Sequence, residues 1–69
     1  MTELQAKIIL AYARHDMKVM RVAKEIYVTD SVVHYYFQKI KQETGLDPKK
    51  FYDLCRLVGI AASITGGKM

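Results

Sequence analysis

Sixty-nine residues make one small domain, close to the lower limit at which a chain folds without disulfides, metals or a partner. Apolar residues are 51% of the chain, which excludes a disordered polymer, and no apolar run approaches the ~20 residues of a membrane span. Eleven Lys and Arg against seven Asp and Glu leave a net charge of +4, which suits a polyanionic partner, while the single Cys55 excludes an intrachain disulfide and fits a reducing, cytoplasmic setting.

Strict apolar–polar alternation is absent, so the chain reads as all-α, a small four-helix domain over residues 1–64 with a flexible tail at 65–69. The start, "MTELQAKIIL", carries an acid and a base inside a helical pattern and does not read as a signal peptide. Thr2 and Gln5 have the spacing of a capping box, which predicts a helix over 3–14. Leu4, Ile8, Ile9, Ala11, Tyr12 and Ala13 give it one broad apolar face. "HDM" breaks the pattern, with Asp16 as the expected N-cap of a second helix over 18–26. Val19, Val22, Ala23 and Ile26 form that helix's stripe.

Thr29 is the expected N-cap of a third helix, from 30 or 31 to 44, in which Val33, Tyr36, Phe37 and Ile40 face inward. Gly45 ends it where a left-handed residue is wanted. Asp47 and Pro48 then open a fourth helix over 48–63, as N-cap and first helical residue. This helix has two apolar stripes. Phe51, Leu54, Cys55, Val58 and Ala61 are expected to close the core, which makes Cys55 a buried structural thiol. Leu57, Ile60 and Ile64 exceed what so small a core covers and predict a homodimer seam, with Gly59 allowing close approach.

The second and third helices, joined through Tyr27, Val28 and Thr29, have the spacing of a helix-turn-helix. Ala23 is the small residue needed at the helix crossing, and Val22, Ile26, Val28 and Val33 line the inner angle. Many such turns carry Gly where this chain has Tyr27. Periodicity alone fits an ordinary three-helix core equally well.

"VAKEIYVTDSVVHYYFQKIKQETGLDP" resembles the helix-turn-helix domain that ends bacterial transcriptional activators of the purine catabolism and sugar-diacid regulator families. The matching residues are Ala23, Lys24, Ile26, Tyr27, Val28, Val33, Tyr35, Phe37, Lys39, Ile40, Thr44, Gly45, Leu46 and Asp47, within a likeness that covers about Ile9 to Asp47. The resemblance implies sequence-specific binding of double-stranded DNA and a regulatory role. The departures fall on the helix that would read bases. A basic residue near its start is Asp30 here, an Asn–Thr pair is Ser31–Val32, and two arginines are His34 and Tyr36. Lost cations weaken phosphate contact or move it elsewhere.

Lys18, Arg21 and Lys24 lie on the outer side of the second helix and are the expected phosphate clamps, with Lys39 later on the third. Thr29, Ser31, Val32 and Tyr35 are placed toward the bases: Ser31 to exchange a hydrogen bond with a base edge, Val32 to touch a thymine methyl. His34 joins this set as a half-exposed surface histidine, and Asp30 is explained by the positive end of its helix. The alternative is a protein-interaction module that keeps the scaffold without the DNA surface. His15, His34 and Cys55 lack the spacing of a zinc site, no Gly-rich phosphate loop is present, and no catalytic, metal or cofactor role is expected.

Overall fold

The computed structural model describes residues 1–66, which form four helices: α1 (Glu3–Arg14), α2 (Val19–Ile26), α3 (Asp30–Thr44) and α4 (Phe51–Ile64). The domain is all-α, with no strand among the described residues. α1 packs along α4 and α2 packs on α3, and α1 also touches the α2–α3 pair. The centre is Ile8, Ile9, Val22, Val33, Ile40 and Leu57, all fully buried. Each such side chain contributes about 1.5–3 kcal/mol through removal from water.

α1 begins with the expected capping box. The Gln5 N–H donates to Thr2 Oγ1 at 3.1 Å and the Thr2 N–H donates to Gln5 Oε1 at 3.0 Å. Gln5 Nε2 also donates to Glu43 Oε1 at 3.2 Å, which ties α1 to the end of α3 and satisfies a buried amide. The connection to α2 differs from expectation. Asp16 does not cap; α2 starts at Val19 with Lys18 as N-cap and no side-chain cap bond. Asp16 and Met17 both adopt left-handed backbone, φ 56° and 63°, and the Met17 N–H donates to the Tyr12 carbonyl at 2.8 Å. With no glycine to end α1, Asp16 is taken up in turning the chain, because Asp tolerates this conformation better than most residues.

Ala23 is buried, as the crossing of α2 and α3 requires, and its carbonyl accepts the N–H groups of both Tyr27 and Val28. Tyr27 fills the glycine position of the turn in left-handed backbone, φ 60° and ψ 46°. Thr29 caps α3 through Oγ1, which accepts from the Val32 N–H at 3.4 Å, and Gly45 closes α3 at φ 75°.

α4 starts three residues later than its proline suggests. Asp47 instead caps a single turn: its Oδ1 accepts the Lys49 N–H and its carbonyl accepts the Lys50 N–H, both at 3.0 Å. The Asp47 N–H donates to Asp53 Oδ2 at 3.1 Å, which fastens this turn to α4. α4 is also rotated from expectation. Leu54, Leu57 and Ala61 face the core, whereas Phe51 is 63% exposed and Cys55 is exposed. Cys55 is therefore not a buried structural thiol. Leu57 is fully buried and cannot belong to a dimer seam; Ile60 and Ile64 are partly exposed without it. The reason is that α1 alone covers α4, so only the narrow i, i+3, i+7 stripe is enclosed. Gly59 is exposed, and a Cβ built there meets nothing within 4 Å, so no close approach inside the chain requires it. At the end, Thr65 lies outside the expected tail: it is the C-cap of α4, its hydroxyl donating to the Ala61 and Ala62 carbonyls. Residues 67–69 of that tail lie outside the described residues.

Candidate nucleic-acid interface

Lys18, Arg21 and Lys24 recur every third residue, which sets them along one edge of α2 away from buried Val22 and Ala23. All three are exposed, and with Val19 and Met20 they line one shallow depression. None has a carboxylate within ion-pair distance among the described residues. The first turn of α2 has neither an acid nor a side-chain cap, so nothing there offsets the positive pole of the helix.

The only acid of α2, Glu25, is turned the other way. Its carboxylate takes Arg14 Nη2 at 2.5 Å and His15 Nε2 at 2.8 Å. Hydrogen bonds from His15 and then Arg14 hold the Glu25 carboxyl below the usual carboxylate range. This cluster pins the end of α1 to α2 and keeps negative charge off the Lys18–Lys24 edge.

On α3, Ser31, Tyr35 and Lys39 follow at i, i+4, i+8 and form one exposed edge. Lys39 Nζ sits 5.9 Å from the centre of the Tyr35 ring, and Tyr35 meets Tyr36 edge-on at 5.5 Å. The ring of Tyr35 thus has two neighbours while 57% of the residue stays open. Val32 is half-buried, and Thr29 is exposed with its hydroxyl oxygen engaged by the Val32 N–H.

His34 is separated from both groups. It lies on the other flank of α3, in a notch with Gln38, Lys41, Asp47 and Lys49, its ring edge-on to Phe37 at 6.2 Å. Beneath Phe37 lies Tyr12, with ring centres 4.7 Å apart; burial first and the Asp47 charge second push the Tyr12 phenol up. The predicted set is therefore divided: three cations on α2, an edge of Ser31, Tyr35 and Lys39 on α3, and His34 elsewhere.

Two exposed side chains beside the cations escaped the sequence reading. Tyr27 is 94% exposed at the turn between the helices, and Met20 is 62% exposed within the α2 depression. The signal for Tyr27 was its place in a turn position that favours glycine, and for Met20 its absence from the stripe of Val19, Val22, Ala23 and Ile26. Among the described residues there is no group of three or more His, Cys, Asp or Glu placed to hold a metal ion. No helix among them is long and apolar enough to cross a membrane. Comparison with protein-family models, curated proteins and solved structures finds no match for this chain.

Proposed function

We propose that the chain binds double-stranded DNA through α2 and α3, as a helix-turn-helix regulator of transcription does. The observation that carries this reading is the edge of Lys18, Arg21 and Lys24, three exposed cations without a carboxylate partner among the described residues. α2 lies across the sugar–phosphate backbone with these cations on phosphates, and α3 turns Ser31 and Tyr35 toward the groove. Lys39 supports Tyr35 and adds charge near the same edge. Thr29 and Val32 contribute at the start of α3, and Asp30 tolerates that place because it neutralises the helix pole. The resemblance of residues 9–47 to regulator domains supports the same role. Such domains act in pairs on paired half-sites, so the acting species is two copies.

The rival role is a protein-interaction module on the same scaffold. Asp30, the displaced His34 and the open Tyr27 favour it. Anisotropy of a labelled mixed-sequence duplex, titrated at several salt concentrations, separates the two. Three phosphate contacts give a slope of about −3 in log affinity against log salt. Lys18→Ala, Arg21→Ala and Lys24→Ala each flatten it by about one, on every duplex alike, while Ser31→Ala and Tyr35→Ala change which sequences are preferred. An absence of binding at low salt rejects the DNA role and leaves the rival.

A further inference from the structure

Away from the α2 cations, a small polar notch lies on one flank of α3. His34, Gln38 and Lys41 stand at i, i+4 and i+7 and make one edge of the helix. At about 100° per residue, this edge lies roughly a quarter turn round α3 from Ser31, Tyr35 and Lys39, which stand opposite buried Val33, Phe37 and Ile40. The loop after α3 completes the notch with Asp47 and Lys49. Its volume is about 130 Å³, that of roughly four waters, which admits one phosphate group and no base or large side chain. It shares no residue with the depression around Lys18, Arg21 and Lys24.

Four of the notch's side chains donate hydrogen bonds: His34, Gln38, Lys41 and Lys49. Its one acid, Asp47, is already engaged: Oδ1 accepts the Lys49 N–H at 3.0 Å, and Oδ2 meets Lys41 Nζ only at 3.9 Å. Lys49 has no carboxylate within ion-pair distance among the described residues, and Lys41 keeps most of its side chain in water. Two cations thus face one carboxylate that is committed to the turn before α4. Asp30, one turn before His34 on the same edge, does not line the notch.

We propose that this notch holds a backbone phosphate of the duplex, as a second clamp separate from the α2 edge. The proposal rests on the reading of α2 and α3 as a DNA-binding pair. A major groove about 12 Å wide is filled by a helix about 10–12 Å across, so a helix lying in it has a sugar–phosphate backbone on each flank. With Ser31 and Tyr35 toward the bases, the edge of His34, Gln38 and Lys41 turns sideways toward one of those backbones. Lys41 and Lys49 supply the charge, while Gln38 and His34 supply N–H donors that fix where the phosphate sits. Lys41 leaves Asp47 readily, since an exposed pair at 3.9 Å is weak. Asp47 stays behind as the cap that sets Lys49 at the rim.

Anisotropy of a labelled mixed-sequence duplex at several salt concentrations tests the notch apart from α2. The two lysines steepen the salt slope by about two beyond the three α2 cations, so a chain carrying Lys18→Ala, Arg21→Ala and Lys24→Ala together keeps a slope of about −2. Lys41→Ala and Lys49→Ala each flatten the slope by about one on every duplex, whereas Lys7→Ala on α1 leaves it unchanged. Gln38→Ala weakens binding a few-fold at constant slope, because it removes a donor and no charge. Asp47→Asn keeps an oxygen for the Lys49 N–H and strengthens binding a few-fold by removing the one acid. Slopes that Lys41→Ala and Lys49→Ala leave unchanged, while the α2 variants flatten theirs, overturn the notch and leave the DNA reading standing. Absence of duplex binding by the unaltered chain at low salt overturns both. A notch that takes inorganic phosphate, seen as a shift of the His34 ring resonances, while Lys41→Ala leaves the duplex slope unmoved is a free-anion site, and that result also overturns the proposal.

Discussion

On the α2–α3 side, Lys18, Arg21 and Lys24 have no carboxylate partner among the described residues, and on the α1–α4 side Phe51 and Cys55 are exposed. The two helix pairs leave opposite kinds of surface open. The first offers charge along one edge of a short helix, where an ordered polyanion can be met one phosphate at a time. The second offers a shallow apolar depression lined by Ala13, Met17, Phe51, Leu54, Cys55 and Val58, with Asp16 beside it. Glu25 divides them, because it draws Arg14 and His15 to the junction of α1 and α2 and keeps its own charge there. A chain of this size thus has room for two different surfaces because the core beneath them is narrow.

That narrowness is best broken at α4. Leu57→Ala removes a fully buried side chain from the α1–α4 contact and is expected to cost about 2–5 kcal/mol. Ile60→Ala, one turn away and 40% exposed, is expected to cost less than about 1.5 kcal/mol. Urea melts of the two variants, read against the unaltered chain, check the contrast. Equal losses would return Ile60 to the core and undo the rotation of α4.

The α2–α3 side is tested at Ala23. Its side chain is buried where the helices cross, and its carbonyl receives two turn N–H groups. Ala23→Leu overpacks this crossing and is expected to cost about 1–3 kcal/mol, with duplex binding lost along with the geometry. A thermal melt unchanged by the substitution would place the crossing elsewhere.

The ends of helices were legible where a side chain has one use. Thr2 with Gln5, Thr29 and Gly45 each do what their position suggests. Asp16 was not, because Asp serves both as a cap and as a left-handed turn residue, and only the path from α1 to α2 decides between them. The facing of α4 was not legible either. Phe51, Leu54, Cys55, Leu57, Val58, Ile60, Ala61 and Ile64 surround most of the helix, so periodicity alone selects no face, and packing against α1 selects one. In the candidate interface, the common edge of Lys18, Arg21 and Lys24 followed from spacing. Their lack of carboxylate partners did not, since it depends on Glu25 reaching residues on another helix. The separation of His34 was not legible for a similar reason: its notch is completed by Asp47 and Lys49 from the loop after α3.

Two backbone positions sharpen the comparison by a smaller amount. Tyr27 holds a left-handed conformation that costs roughly 1–2 kcal/mol in a non-glycine residue, part of which glycine returns through its own loss of freedom. Tyr27→Gly is therefore expected to stabilise the fold by about 0.5–1 kcal/mol. If it weakens duplex binding at the same time, the exposed ring belongs to the DNA surface. Gly59 is the reverse case, a glycine in the interior of α4 with open space where a side chain would stand. Gly59→Ala is expected to stabilise by about 0.5–1 kcal/mol, read from denaturant melts at low concentration.

The smallest effect lies at the junction of the two sides. The Glu25 carboxyl is held below its ordinary range by His15 and Arg14, so the folded chain favours its charged form more than the unfolded chain does. A lowered value means that the stabilisation is complete above the ordinary carboxylate range and disappears as pH falls through the folded value. The loss in acid is therefore the loss of the Glu25 carboxylate. Because all three side chains are partly exposed, water and salt screen the cluster and the effect stays small. Glu25→Gln is therefore expected to melt slightly below the unaltered chain at neutral pH and together with it in strong acid. Added salt should narrow the neutral-pH gap. A gap that persists in acid would mean that Glu25 joins α1 to α2 by packing, and that the separation of charged and apolar surfaces does not depend on its charge.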